Sequence, residues 1–418
     1  MALPAALALG WLLVASAPAV KYKASARVES IVRTPLLTEL ASSRVVNDVV
    51  LAPRLDGFLY TNLLDVKFVY EPQLLVRQAT SKPTLEILQS VFTTADYKLR
   101  RDLRLLAVHT TTYGTFPFDN YGSGGDLGGG PVEGGVPSGG ELPVTMGAKA
   151  KTAYIYTETA VGFWTSLGIK RLAIAGTLGW VVNGLLSDPP TRPVRRGDAS
   201  YPLQRYPELR VQSFYGATRR DYFTLSLYGK DVSYSTGNRS SLLQFAPGLQ
   251  HFFSPLVNVS VDPGVAVGMM YPRRPDQPRE GVLMPTLETA LNAPVPLGNH
   301  WPVRAKLRAR YLPHLDPLTT RLIPRGDVGV SFKWEGQREA KVLGELSYAH
   351  ALTDGLHRND AQTQAEVEAL WPLPLSRYLY AQAKGKFTWT HHVVLDPAPV
   401  VQWYTSVGLV VRYDRGRL

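Results

Sequence analysis

Between Val303 and Tyr311 the chain holds two residue sets that never mix. Val303, Ala305, Leu307, Ala309 and Tyr311 take the odd positions, and Arg304, Lys306, Arg308 and Arg310 the even ones. Side chains change faces with period two only in a strand, so this segment is a β-strand with one apolar and one cationic face. At about 3.3 Å per residue the cations extend roughly 20 Å. That is most of the roughly 25 Å apolar band of an outer-membrane barrel. Such a face is either solvated on a soluble sandwich or turned into the wet interior of a barrel. Lipid is excluded: each Arg or Lys costs about 2–4 kcal/mol at the bilayer midplane, and four exceed the net stability of many domains.

Residues 1–20 carry no charge and are almost all small or apolar. The run 7–15, followed by Ala15-Ser16-Ala17 and Ala17-Pro18-Ala19, reads as a signal-peptide core with cleavage after Ala17 or Ala19. It is shorter than the ~20 apolar residues of a helical span. The expected division is a signal segment over 1–19 and a single domain over 20–418. No later stretch holds eighteen apolar residues, which excludes helical spans. The absence of cysteine removes disulfides, thiolate metal sites, a cysteine nucleophile and a lipidated lipoprotein terminus. A formal charge of +11 suits lipopolysaccharide or an anionic solute. Nucleic acid is set aside, because no helical Lys/Arg cluster or nucleic-acid module is present.

The alternation recurs along the chain. Tyr22 to Val28 alternate with Lys23, Ser25, Arg27 and Glu29; Ala148 to Tyr156 alternate with Lys149 and Lys151. Ala361 to Ala369 alternate with Gln362, Gln364, Glu366 and Glu368, and Leu379 to Trp389 alternate with Gln382, Lys384 and Lys386. Counting every such segment gives about eighteen strands, an even number as single-chain outer-membrane barrels require. Pro247, Pro255 and Pro263 interrupt the segments near 245 and 262, so sixteen is the alternative count. The fold class is all-β: one transmembrane antiparallel β-barrel.

Connections sort by side. Long ones at 35–47, 115–144, 183–204, 271–282 and 390–399 all follow odd strands. Tight turns at 95–97, 219–221, 335–337 and 372–374 follow even ones. With a periplasmic start, this is the pattern of long extracellular loops and short periplasmic turns. A soluble sandwich has no reason to produce it.

Candidate chemistry is sparse. Residues 122–140 are about half glycine and lack the strand-to-helix context of a phosphate-binding loop, so 115–144 reads as a Gly-rich extracellular loop. His391 and His392 beside Asp396, and Asp354, His357 and Asp360, would form a rim site only if their loops converged. Adjacent strand histidines point to opposite faces and seldom share a metal. No catalytic motif supports an enzyme, and no metal or cofactor is expected.

On the barrel reading the lumen receives Arg304, Lys306, Arg308, Arg310, Lys384, Lys386, Lys149, Lys151, Glu366 and Glu368. It also receives Arg412, Asp65, Glu71, Glu288, Asp327 and Glu345. Most of these charges are expected to pair across strands and stiffen the wall. The row 304–310 is the exception: the adjacent strands offer only Glu288 and Asp327, which leaves a cationic surplus. Trp180, Trp334, Trp371, Trp389, Trp403, Tyr70, Tyr348 and Tyr413 fall on outward registers, as interface girdles require. Tyr222, Tyr228, Tyr378, Tyr380 and Tyr404 fall inward, where they fill the wall or stack on sugar rings.

The segments Asp48-Val-Val-Leu-Ala-Pro-Arg-Leu, Ile87-Leu-Gln-Ser-Val-Phe-Thr-Thr-Ala-Asp-Tyr and Leu103-Arg-Leu-Leu-Ala-Val-His-Thr-Thr-Thr-Tyr-Gly are similar to large outer-membrane barrels of polysaccharide-export (OPX-type) pathways. The resemblance covers mainly the first third of the chain. It implies a barrel of about eighteen strands that completes a translocon with a periplasmic polysaccharide-export protein. The expected function is therefore a non-catalytic conduit for an exopolysaccharide or another anionic or polyhydroxyl solute. The alternatives are a structural barrel anchoring an envelope-spanning motility or adhesion complex, and a general solute porin.

Overall fold

A computed structural model of the chain describes residues 19–34, 45–77, 84–114, 154–167, 171–186, 203–273, 279–296, 302–315, 322–351, 360–392 and 396–415. The signal segment before Ala19, the Gly-rich stretch 115–144, Lys149, Lys151, Asp354 and His357 lie outside the described residues.

In chain order the strands are β1 Ala19–Arg33, β2 Val46–Tyr60, β3 Leu64–Arg77, β4 Thr84–Arg100, β5 Leu103–Gly114 and β6 Tyr154–Leu167. Next come β7 Leu172–Leu185, β8 Gln204–Gly216, β9 Asp221–Tyr234, β10 Arg239–Ser254, β11 Val257–Tyr271 and β12 Glu280–Pro296. The last six are β13 Pro302–Leu315, β14 Leu322–Glu335, β15 Lys341–Ala351, β16 Asp360–Pro372, β17 Leu379–His392 and β18 Asp396–Arg415. All form one 18-stranded antiparallel sheet in which each strand pairs with its sequence neighbours. β1 also pairs with β18, from Tyr22↔Arg415 to Arg33↔Tyr404, so the sheet closes on itself. Closure leaves no edge, the one way a sheet can satisfy its backbone inside a bilayer.

The two faces of the wall differ in chemistry. Val28, Leu55, Phe68, Leu178, Leu283, Leu307, Val330 and Leu409 are exposed on one side. Arg27, Glu29, Arg54, Asp56, Asp327 and Gln382 take the alternate positions on the other. An apolar outer face on a closed barrel is an outer-membrane wall; its polar inner face is a lumen. Trp180 and Trp371 are exposed on the outer face, and Trp371 stacks on Trp334 at 5.6 Å, where an interfacial girdle belongs. Eighteen strands about 4.8 Å apart and tilted by about 40° enclose a space roughly 35 Å across between backbones.

Both proline-bearing strands are present, which settles the count. Phe245↔Val265 and Leu249↔Val261 hold one register across β10 and β11, so Pro247 faces Pro263. Pro53 faces Pro72 between β2 and β3 in the same way, flanked by Leu51↔Leu74 and Leu55↔Tyr70. Pairing two prolines confines the missing donors to one rung, and the ladder resumes unshifted.

Residues 148–153 of the expected β6 alternation lie outside the described residues, and two other boundaries differ from the sequence reading. Residues 95–97 lie inside β4, and the chain turns at Arg101 and Asp102 instead. β17 and β18 extend to His392 and from Asp396, with His392↔Asp396 in register, so the connection expected over 390–399 is short. In both cases ladder hydrogen bonds to neighbouring strands extend a strand past the point where its own alternation fades. The asymmetry still holds, since 115–153 and 186–203 join odd strands to the next, whereas 101–102 and 255–256 follow even ones.

Candidate functional site

The cationic row on β13 is split by its neighbours. Asp327 on β14 lies opposite Arg310, 2.9 Å from its guanidinium, and 3.5 Å from that of Arg308. Glu345 on β15, the second strand over, reaches Arg308 at 3.5 Å. Gly329 makes this possible: it is the cross-strand partner of Arg308, and a Cβ there would sit 3.7 Å from the guanidinium. With no side chain in between, Arg308 extends over β14 to the next strand. The expectation of a surplus along the whole row is corrected accordingly. Counting acids on adjacent strands omitted Glu345, which a long arginine side chain reaches diagonally. Arg304 and Lys306 are different: both are exposed, and among the described residues neither makes an ion pair.

Other inner charges are compensated. Glu366 faces Lys386 and Glu368 faces Lys384 between β16 and β17. Glu368 also accepts from Gln382 at 3.2 Å and lies 3.4 Å from Lys341. Lys384 is buried within the wall. Across the closing seam, Ser406 donates to Glu29, and Arg27 lies 3.5 Å from Glu29 and 3.7 Å from Glu71. Arg54 joins Glu71 to Asp56, and Arg77 joins Glu86 at 2.8 Å. Arg33 and Asp48 pair at 2.6 Å, with side chains 3 % and 0 % exposed. From β16 round to β4 the inner wall is thus a cross-linked polar lattice.

The lumen is narrowed by its own chain. The β12–β13 ladder ends at Leu287↔Tyr311, although β12 continues back to Glu280 paired with β11. Beyond Tyr311, β13 leaves the wall together with the start of β14, the two still paired as far as Leu315↔Leu322. Leu315 is buried in a cluster with Val232, Tyr234, Leu242, Ala266 and Met284, inner-face residues of β9 to β12. Leu322 packs over Gly268 on β11, in space a Cβ would occupy. The end of this hairpin therefore folds inward and covers roughly 15–20 Å of inner wall near the long-loop end. A second apolar cluster of Ile31, Val50, Ala52, Leu75, Leu88 and Tyr404 lies on β18 and β1 to β4. β10 is the ninth strand on from β1, halfway round the eighteen-strand cylinder, so the two clusters lie on opposite sides of the lumen.

Inward aromatics divide likewise. Tyr380 and Tyr404 are buried in the wall, and Tyr378 lies in the turn before β17. Tyr222 and Tyr228 remain partly exposed on the inner face of β9. Sequence reading missed Trp164, Phe214 and Phe252, because their strands lack a clean alternation. The infolded hairpin was also missed; Gly268 and the facing pair Pro313 and Pro324 were its only local signals. Among the described residues no three His, Asp or Glu side chains converge as a metal-binding group.

A family model described as the EpsX exopolysaccharide export family matches residues 11–416. No curated protein matches the chain. Among solved structures, OccAB3 of Acinetobacter baumannii is similar at 9 % identity and a TM-score of 0.46, covering 95 % of this chain and 99 % of that one. The FrpB iron transporter of Neisseria meningitidis gives 7 % and 0.48, covering 96 % and 82 %. OccK11 of Pseudomonas aeruginosa gives 10 % and 0.44, covering 95 % and 96 %. Likenesses this remote bear on neither substrate nor mechanism.

Proposed function

Because this outer-membrane barrel belongs to the EpsX exopolysaccharide export family, we propose that its lumen conducts an exopolysaccharide from the periplasmic mouth to the cell surface without catalysis. One observation carries the reading: the wall closes around a lumen whose inner face is largely polar, and among the described residues the chain folds into it at the β13–β14 hairpin. A polyhydroxyl chain needs hydrogen-bonding partners that bind weakly enough to release it, and ranks of polar side chains on a fixed wall supply them. The salt-bridged lattice from β16 to β4 holds the cylinder rigid, which keeps the path open while the substrate moves. The periplasmic mouth is ringed by short turns, and in this reading a periplasmic polysaccharide-export protein delivers the polymer there. Lipid and lipopolysaccharide contact the outer face.

A second reading has its own observation. Inner-face side chains near the long-loop end, Leu75 and Asp48 among them, are fully buried, as in a plugged barrel that only anchors an envelope machine. Planar-bilayer conductance of the purified barrel separates the two. A steady current supports the conduit. A sealed lumen that stays sealed after Gly268→Val, which would dislodge the hairpin, overturns it in favour of the anchor.

A further inference from the structure

Near the short-turn mouth, the inner face from β6 to β13 combines aromatic rings, amides and cations. Aromatic rings come first: Trp164 on β6, Phe214 on β8, Tyr222 on β9 and Phe252 on β10, all partly exposed. Ala175 and Ala173 of β7 lie opposite Trp164 and Phe214, so no bulky side chain crowds the rings from that strand. Tyr222 and Phe252 meet edge to face at 5.6 Å. Amides follow, with Asn292 donating to Asn258 at 2.9 Å and Gln250 3.5 Å from the same oxygen. Lys306 lies opposite Asn292, with Arg304 one inner position nearer the mouth.

Acids are missing from this strip. The nearest on β11 and β12, Asp262 and Glu288, lie deeper along the wall, and Asp262 already accepts from Thr224 at 2.7 Å; on β14, Glu335 borders the strip beside Arg304 and pairs with Lys333 at 2.7 Å. Arg304 and Lys306 are thus exposed to the lumen and make no close ion pair among the described residues, their acidic neighbours being engaged elsewhere or set back along the wall. Elsewhere on the wall the inner cations described above are tied to carboxylates.

The strip matches the parts of an acidic sugar chain. Aromatic faces take up the C–H edges of pyranose rings, amides bond hydroxyls in both directions, and Arg and Lys bind carboxylates through charge-assisted hydrogen bonds. Phe252 and Lys306 stand three strands apart, roughly 14 Å along the wall, which a short oligosaccharide spans. We propose that this strip is the entry subsite for an acidic polysaccharide, with rings stacked on Tyr222 and Phe252 and carboxylates met by Arg304 and Lys306. This rests on the export reading and adds to it the charge of the polymer.

The test uses the full-length barrel in a planar bilayer, with polygalacturonate oligomers or maltodextrins of matched length added to either side. Polygalacturonate entering from the short-turn side interrupts the current. Arg304→Gln with Lys306→Gln lowers its capture rate roughly tenfold, as loss of two exposed ion pairs implies. Arg304→Lys retains capture, and Tyr222→Ala with Phe252→Ala shortens each blockade several-fold. Maltodextrin capture does not respond to the charge variants. Heat-modifiable gel migration establishes that each variant is folded. Equal capture of the two polymers, or capture of polygalacturonate indifferent to the loss of both cations, overturns the acidic subsite and leaves the conduit standing. A barrel that passes current but is blocked by neither polymer overturns the export reading itself.

Discussion

Leu322 on β14 seats its side chain over Gly268 on β11, two residues held in register with different neighbours and separated by β12 and β13. This contact fixes the hairpin inside the lumen. Gly268 has ordinary extended φ, so its backbone accepts any residue, and only the seat for Leu322 requires the missing Cβ.

Gly268→Val should dislodge the hairpin. Losing one buried leucine contact is worth about 2 kcal/mol, enough to raise the population of the open arrangement roughly thirtyfold. Single-channel recording checks this: conductance rises and fluctuates more, whereas an unchanged trace would mean that Leu315 and its cluster hold the hairpin unaided.

Glu345→Gln and Gly329→Val should have one effect by two routes. The first removes the distant partner of Arg308, and the second blocks the path its side chain takes across β14. Both leave a cation facing the lumen, so reversal-potential measurements in a salt gradient shift toward anions. Stability changes by no more than about 1 kcal/mol, because the pair is partly solvated.

Asp48→Asn should do the opposite. It leaves the Arg33 charge buried and costs about 3 kcal/mol, seen as a lower guanidinium midpoint in detergent, while ion selectivity stays at the wild-type value. A selectivity change would place this pair in the conducting path rather than in its frame.

Leu307→Arg puts a charge on the lipid face of the strand whose other face is cationic already. Refolding into liposomes should show a loss of about 2–4 kcal/mol. A neutral result would mean that residue 307 does not face hydrocarbon.

Much of the architecture was legible in the chain. Period-two alternation assigned faces on β1, β13, β16, β17 and β18, and the uneven connections placed the two mouths. Both follow from local rules, since strand side chains alternate and each missing acid or proline is visible in the string. The turn expected at 95–97 was misplaced because Ala95, Asp96 and Tyr97 read as a polar break, whereas their ladders to β3 and β5 continue through it. A weak pattern of that kind leaves the boundary to the neighbours.

The sequence by itself determined that Arg304, Lys306, Arg308 and Arg310 share a face and that this face cannot touch lipid. Hydrophobic transfer alone forces that result, whatever the neighbours are. Tertiary structure decided which of the four are neutralised. Glu345 meets Arg308 only because the sheet brings the second strand within reach and Gly329 leaves the way clear. It also decided that β13 leaves the wall beyond Tyr311, because the apolar seat for Leu315 and Leu322 is assembled from four strands and exists on none of them alone.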